Sequence, residues 1–283
     1  MNTALCISAY IKKLNKILCK YNFGKTVTAE DFMFLSEIVT DDPKGQTFSS
    51  HFTSKIWQRI GGGEFYHYAP KHAALGILSS KALRLTSIQK RITEDEIKSF
   101  LEKFKYTYPL EIDTLTNKPK YQSSIAEEIY YTSLTKTDLT YEQESYFWNT
   151  FARCDGARFK FRLSTKIGCF RNIAYGDTVD HWASLLEEVC NMTKDKLKKE
   201  FIWGDAGTAC ALHLPAKYGI ESETRFIIRP SWGLPIIKGD GPYPYQQLFF
   251  GDNPKIETSL HLMEVQSDNR LCVPCDVNII PRS

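Results

Sequence analysis

Chemistry in this chain has few places to come from. The dinucleotide fingerprint Gly-x-Gly-x-x-Gly, the Walker loop, His-Glu-x-x-His, Gly-x-Ser-x-Gly and the zinc-deaminase signature are all missing from the sequence. What remains is one histidine in an apolar strand pattern and one pair of acids. Phe65-Tyr66-His67-Tyr68 alternates as a strand does, so His67 shares a face with Phe65. Glu221 and Glu223 stand two apart at the head of the run Thr224–Ile228, and they share a face if the backbone is extended there. A neutral imidazole offers one donor and one acceptor. A carboxylate stabilises neighbouring positive charge or takes a proton. The plain alternative for Glu221 and Glu223 is a solvated pair of surface acids.

The elements that must position these groups lie on both sides of them. Ala73–Leu78 is rich in helix formers, and Leu83-Arg84-Leu85-Thr86 alternates again, so residues Glu64 to Ser87 read as strand, short helix, strand. Polar residues sit where a ligand can be gripped, but periodicity does not name the ligand. Upstream, Leu5, Ile7, Ile11, Leu14, Ile17 and Leu18 make Ala4–Tyr21 an amphipathic helix, packed on its own domain or lying on a membrane surface. Thr28-Ala29-Glu30-Asp31 reads as the cap of a helix reaching Val39, ended by Asp41–Gly45. Ser50–Ile60 is expected as a third helix, and Gly61-Gly62-Gly63 as a flexible joint. Residues 1–60 are therefore expected to be a helical N-terminal extension of an α+β domain spanning 61–283.

Within that domain, Thr93-Glu94-Asp95-Glu96 is a capping box for a helix to Lys105, and Tyr106–Ser123 a long loop or hairpin. Ile129–Leu134 has strand composition, and Thr140–Ala152 a helix that puts Phe147 and Phe151 on one face. Two helices are expected over Val179–Asn191 and Thr193–Phe201, and a short one in Gly204–Ala216. Residues 231–255 read as an irregular excursion, with Ile256–Val265 and Leu271–Ile280 as closing strands. Strand-rich segments in this order predict a mixed α+β core, either two packed sheets or a split sheet with a cleft.

Ala157–Leu163 alternates strictly, with Phe159, Phe161 and Leu163 on one face and Arg158, Lys160 and Arg162 on the other. Arg153, Lys166 and Arg171 lie nearby, and Asp155 alone opposes them in the local sequence. Such a row is either a solvated strand face or a surface for pyrophosphate or a nucleic-acid backbone. The whole chain of 283 residues carries a net charge of only +3, so partners must be argued from local charge. Hydrophobic content of 42% and aromatic content of 13% suit a substantial core. No apolar run approaches the roughly 20 residues that span a bilayer. The N-terminus lacks the pattern of a signal peptide, which predicts a cytoplasmic protein. Eight cysteines at scattered positions then read as reduced thiols, with Cys272-Val273-Pro274-Cys275 the one pair at redox or metal spacing.

Three stretches, in order, carry a resemblance. The opening Tyr66-His67-Tyr68, short helix and Leu83-Arg84-Leu85-Thr86-Ser87 is the first. The second is Tyr130-Tyr131-Thr132-Ser133-Leu134 with Phe147-Trp148-Asn149-Thr150-Phe151-Ala152 and Gly156-Ala157-Arg158-Phe159. The third is Lys217-Tyr218-Gly219-Ile220-Glu221-Ser222-Glu223-Thr224-Arg225-Phe226. Together they are similar to a bacterial family known as domain of unknown function two-nine-seven-one, whose opening resembles that of ADP-ribosyltransferases of the His-Tyr-Glu kind. The resemblance covers residues 64 to 230 and implies a split mixed sheet with flanking helices, and NAD as co-substrate. It implies mono-ADP-ribosyl transfer to a macromolecular acceptor (DNA, RNA or protein), with nucleic acid favoured by the basic strand. A toxin or phage-defence effector of this kind would have an antitoxin or inhibitor protein as a partner. Glu223 would be the catalytic acid and Glu221 would orient the acceptor. His67 would hold a ribose hydroxyl, and Tyr68, Tyr131 or Trp148 would stack on nicotinamide, core packing being the other reading of Trp148. Arg84 and Arg153 would meet the pyrophosphate. The aromatic of the His-Tyr-Glu pattern is not pinned to one position, and Thr86 and Ser87 stand in its region. Hydrolysis of NAD by water, or a silent module that binds a nucleotide or nucleic acid, are the competing readings.

Overall fold

The apolar stripe of the N-terminus winds into α1 (Thr3–Lys20), burying Tyr10, Leu14, Ile17 and Leu18. The computed structural model describes residues 3–42, 48–89, 96–124, 129–166, 170–229, 234–237, 243–267 and 279–281. Next along the chain come β1 (Phe32–Phe34), β2 (Ile38–Asp41), α2 (Phe48–Ile56), β3 (Gly62–Ala69), α3 (Lys71–Ser80) and β4 (Ala82–Ser87). They are followed by α4 (Glu96–Lys103), the short hairpin β5 (Ile112–Asp113) and β6 (Lys118–Pro119), α5 (Tyr121–Ser124), β7 (Tyr130–Lys136) and α6 (Tyr141–Thr150). Then come β8 (Ala157–Thr165), β9 (Phe170–Asn172), β10 (Ala174–Tyr175), α7 (Asp180–Leu197), β11 (Glu200–Ile202), α8 (Ala206–Ala211) and β12 (His213–Leu214). Last are β13 (Glu223–Ile228), β14 (Tyr245–Phe249), β15 (Gly251–Asn253), β16 (Thr258–Ser267) and β17 (Ile279–Pro281). The fold is mixed α+β, as the order of patterns predicts.

Several expectations are corrected. Thr28 caps only a single helical turn, Ala29–Asp31, its backbone N–H donating to the Asp31 carboxylate at 2.7 Å. The β-forming runs after it then make the antiparallel pair β1–β2 instead of a helix to Val39. Gly62 and Gly63 are not a loose joint but the first residues of β3, in register with Ser164 and Leu163. A Cβ at Gly62 would lie 2.4 Å from the Leu163 carbonyl oxygen, so close backbone approach is why glycine stands there. Val179 to Leu197 holds one continuous helix, not two, because Leu185, Leu186, Val189 and Met192 keep helical spacing across the expected break. It ends at Lys198 in the left-handed conformation (φ 58°), and the residues after it form β11. The irregular region contains β14 and β15. Residues 90–95, with most of the expected capping box, and Cys169, Cys272 and Cys275 lie outside the described residues.

The chain forms two compact units, each assembled from three segments. The first holds residues 1–58, 89–127 and 174–216, so the expected extension shares its unit with two later stretches. In it α1 packs along α7, with the Tyr10 hydroxyl 3.0 Å from that of Thr193. Strand β2 sits between β1 and a parallel β11. Its core is aromatic: Phe48 lies 5.2 Å from Phe23 and 5.5 Å from Phe201, and Phe52 lies 5.0 Å from Trp203.

The second unit holds residues 59–88, 128–173 and 217–283 around a ten-stranded sheet. Its main path runs β14-β4-β7-β3-β8-β16-β15, with β13 also on β7, β9 beyond β13, and β17 parallel to β16. Strand β7 is where the sheet divides. One edge of β7 pairs with β13 from Tyr130 to Thr135. The other edge is shared: β4 takes Tyr130 and Tyr131, while β3 takes Thr135 and Lys136. Both are antiparallel to β7, hence parallel to each other, joined by α3. Between them the edge of residues 132–134 forms a notch. One face of the sheet carries the core, including Phe65, Leu83, Leu85, Tyr130, Leu134, Phe159, Phe161 and Phe226. The opposite, outer face carries the alternate residues, among them Tyr66, Thr86, Tyr131, Glu223 and Arg225.

Candidate functional site

Strand β7 gathers the expected site residues. His67 shares the core side of β3 with Phe65, as the alternation predicts, since Phe65 is opposite Phe161 and His67 opposite Phe159. Past Tyr66 the strand leaves β7, and the imidazole reaches into the notch. Its Nδ1 donates to the carbonyl of Ser133 at 3.0 Å. A carbonyl only accepts, so Nδ1 holds the proton and Nε2 is left as an acceptor. Burial lowers the imidazole below its ordinary range, which keeps it neutral.

Glu223 opens β13 directly opposite Thr135, and Thr135 is opposite Tyr66, so the acid is on the outer face. The ladder therefore places His67 and Glu223 on opposite sides of the sheet, two residues apart along β7. Glu223 is buried, and Arg225, its same-face neighbour, holds both oxygens: Nε to Oε1 at 2.7 Å and Nη2 to Oε2 at 3.1 Å. Arg225 also lies 4.5 Å over the Tyr131 ring and is opposite the buried Arg171 of β9. Glu221 does not extend β13. It ends a helical turn (Ala216–Glu221), and Ser222 between the two acids has φ 41°. The acids consequently do not share a strand face. The hydroxyl of Tyr146 on α6 donates to Glu221 Oε1 at 3.0 Å, and Gln143 Nε2 donates to the Ile220 carbonyl and the Ser222 hydroxyl.

The remaining candidates separate. Tyr68 and Trp148 are buried in a small aromatic cluster with Phe147; the Trp148 and Phe147 rings lie 5.6 Å and 5.1 Å from the Tyr68 ring, which is the packing alternative for Trp148. Burial pushes the Tyr68 phenol up to about 12. Thr86 is half-buried opposite Tyr131, and Ser87 is buried opposite Tyr130. Arg84 is exposed, its guanidinium 4.0 Å over the Tyr245 ring of β14. Arg153 stands in the left-handed turn after α6 (φ 53°) and is in none of the strands paired with β7. The basic row of β8 is not opposed by Asp155 alone. Arg158 pairs with Glu144 and Glu264, while Lys160 and Arg162 both pair with Glu64. Their hydrogen bonds hold the Glu64 carboxyl down to about 2.

Tyr146 and Tyr245 were singled out by neither composition nor motif, and Arg225, which stands in the third stretch of the resemblance, was given no role there. The spacing Glu223-x-Arg225 was the available clue, because i and i+2 on a strand are neighbours on one face. Among the described residues no group of acids, histidines and cysteines is placed to hold a metal, and no helix is long and apolar enough to cross a membrane. Compared with protein-family models, curated proteins and solved structures, the chain matches none.

Proposed function

We propose that the second unit is an NAD-dependent mono-ADP-ribosyltransferase acting on a macromolecular acceptor. The observation that carries the reading is the neutral imidazole of His67 at the notch of a divided sheet; Glu223 stands one strand away on the other face, so on this reading the ribose that meets both must enter through the notch. In this reading Nε2 of His67 accepts from a ribose hydroxyl. The bond between ribose C1′ and the nicotinamide nitrogen breaks, and its electron pair leaves with neutral nicotinamide. No strong general acid is required. The cationic ribose left behind is stabilised by Glu223, and Glu221 takes the proton of the acceptor nucleophile as the new bond forms. With water as the nucleophile the same steps are NAD hydrolysis.

A second reading is favoured by one observation: both Glu223 oxygens are held by Arg225 in a buried pair, the arrangement of a structural ion pair. On that reading the unit binds a nucleotide or nucleic acid without cleaving it. One experiment separates them. The protein is incubated with cell lysate and NAD labelled in the adenosine half, and the label is followed into protein, DNA, RNA or free ADP-ribose, with nicotinamide release measured alongside. Label in a macromolecule supports transfer, and label only in ADP-ribose supports hydrolysis. Retained NAD affinity without nicotinamide release leaves the binding module.

A further inference from the structure

The outer face of β14, β4 and β7 stacks guanidinium on tyrosine, as Arg158 of β8 does over Tyr66 at 4.1 Å, but it differs from the basic row of β8 in its charge. Tyr245 is opposite Thr86, and Thr86 is opposite Tyr131, so two tyrosines flank a threonine in one cross-strand row. Strands lie about 4.8 Å apart, which sets the two tyrosine Cα atoms roughly 10 Å from each other. Each ring is paired with a guanidinium: Arg84 lies 4.0 Å over Tyr245, and Arg225 lies 4.5 Å over Tyr131. The two tiers are presented differently. Arg84 is exposed and Tyr245 half-buried, whereas Arg225 is buried and Tyr131 half-buried. Among the described residues no carboxylate forms an ion pair with Arg84, in contrast to Arg158, Lys160 and Arg162. Phe249, 46% exposed, continues the same side of β14.

Flat rings on a partly exposed sheet face, with the exposed guanidinium of Arg84 free of any ion pair among the described residues, match splayed bases and their phosphates. Single-strand readers use this combination, because every base has a π-face and every linkage a negative charge. A duplex hides its base faces and gains little from such a surface. We propose that the outer face of β14, β4 and β7 binds single-stranded nucleic acid, with a base laid on the Arg84–Tyr245 tier and the next beside the half-buried Tyr131 ring. This names the acceptor class of the transfer reading, and it rests on that reading only for the chemistry after binding.

The test uses no NAD. Fluorescence anisotropy is measured with the full chain and a labelled oligothymidylate of about twelve nucleotides, alone and paired with its complement. The single strand should bind more tightly than the duplex by roughly tenfold, and more weakly as salt rises. Arg84→Gln and Tyr245→Ala should each weaken it by roughly tenfold. Arg84 is exposed, so its substitution leaves the fold intact. Tyr245→Leu, which keeps bulk without a π-face, decides the second position if the alanine variant misfolds. Absent binding, equal binding of duplex, or a loss confined to the triple Gln variant at Arg158, Lys160 and Arg162 would overturn the proposal. Binding by this face without nicotinamide release would uphold it while sinking the transfer reading. Nicotinamide release without binding would do the reverse.

Discussion

On the transfer reading, Glu223 is asked to do two things that pull against each other. A carboxylate that stabilises a cationic ribose must present charge to the substrate, whereas this one already gives both oxygens to Arg225. Glu223→Gln keeps size but leaves Arg225 buried without its countercharge, which should cost about 3 kcal/mol in urea unfolding. If Glu223 is also catalytic, nicotinamide release should fall roughly a hundredfold while NAD affinity by calorimetry changes little. The double variant Glu223→Gln with Arg225→Met separates the two effects. Stability should return because no unpaired charge remains, and turnover should not. Turnover that recovers with stability would make the pair purely structural. His67 gives a pH test. Its folded form resists protonation because its surroundings desolvate the half-buried ring, so the unfolded chain binds this proton more readily. The stability from this site is present above the unfolded value of about 6.5 and is lost as pH falls below it. The margin of the wild type over His67→Asn in urea unfolding should therefore shrink from about pH 7 to about pH 5. A constant margin would mean that His67 is not held neutral by the fold.

Helix α6 is the element that fixes the acidic turn. Its N-terminus is a capping box: the Thr140 hydroxyl accepts from Gln143 N, and the Gln143 side chain accepts from Thr140 N. Gln143 also reaches Ile220 and Ser222, and Tyr146 reaches Glu221. Thr140→Ala should cost about 1 kcal/mol, the ordinary worth of a cap. Gln143→Ala should cost more, because it also frees the 220–222 turn. Chemical denaturation of the two variants orders them, and equal losses would reduce Gln143 to a cap. Tyr146→Phe should lower nicotinamide release by roughly tenfold through Glu221. Combined with Glu221→Gln it should cause no further loss. The helix beginning at Thr140 and the alternation of β3 and β8 were legible in the sequence, because helix-forming and period-two patterns are local. The capped turn at Thr28 was legible too, but not its brevity, since β2 pairs with β1 on one side and with β11, far along the chain, on the other. The same holds for the site. The basic stretch of β8 looked opposed by Asp155 alone because Glu64, Glu144 and Glu264 come from other elements. Glu221 and Glu223 looked like one face because the left-handed Ser222 leaves no trace in composition.

At the scale of the whole molecule, the segments of the two units alternate along the sequence. An independent extension over residues 1–60 would leave residues 61–283 able to fold alone. The first unit instead needs α1 against α7 and β2 beside β11, so a fragment beginning at residue 61 would expose the apolar faces of α7 and β11. That fragment should be insoluble, or show far-UV helix signal without near-UV aromatic signal, while the full chain shows both. A soluble fragment with native near-UV signal would restore the simpler division. The chain changes unit after Gln58 and again after Ile88, Glu127, Ile173 and Ala216. No single cut in the coding sequence therefore separates the two units, and no end-to-end fusion transplants either of them. A gene exchange that moves one would have to splice several internal segments at once, so the pair is inherited, truncated or lost together.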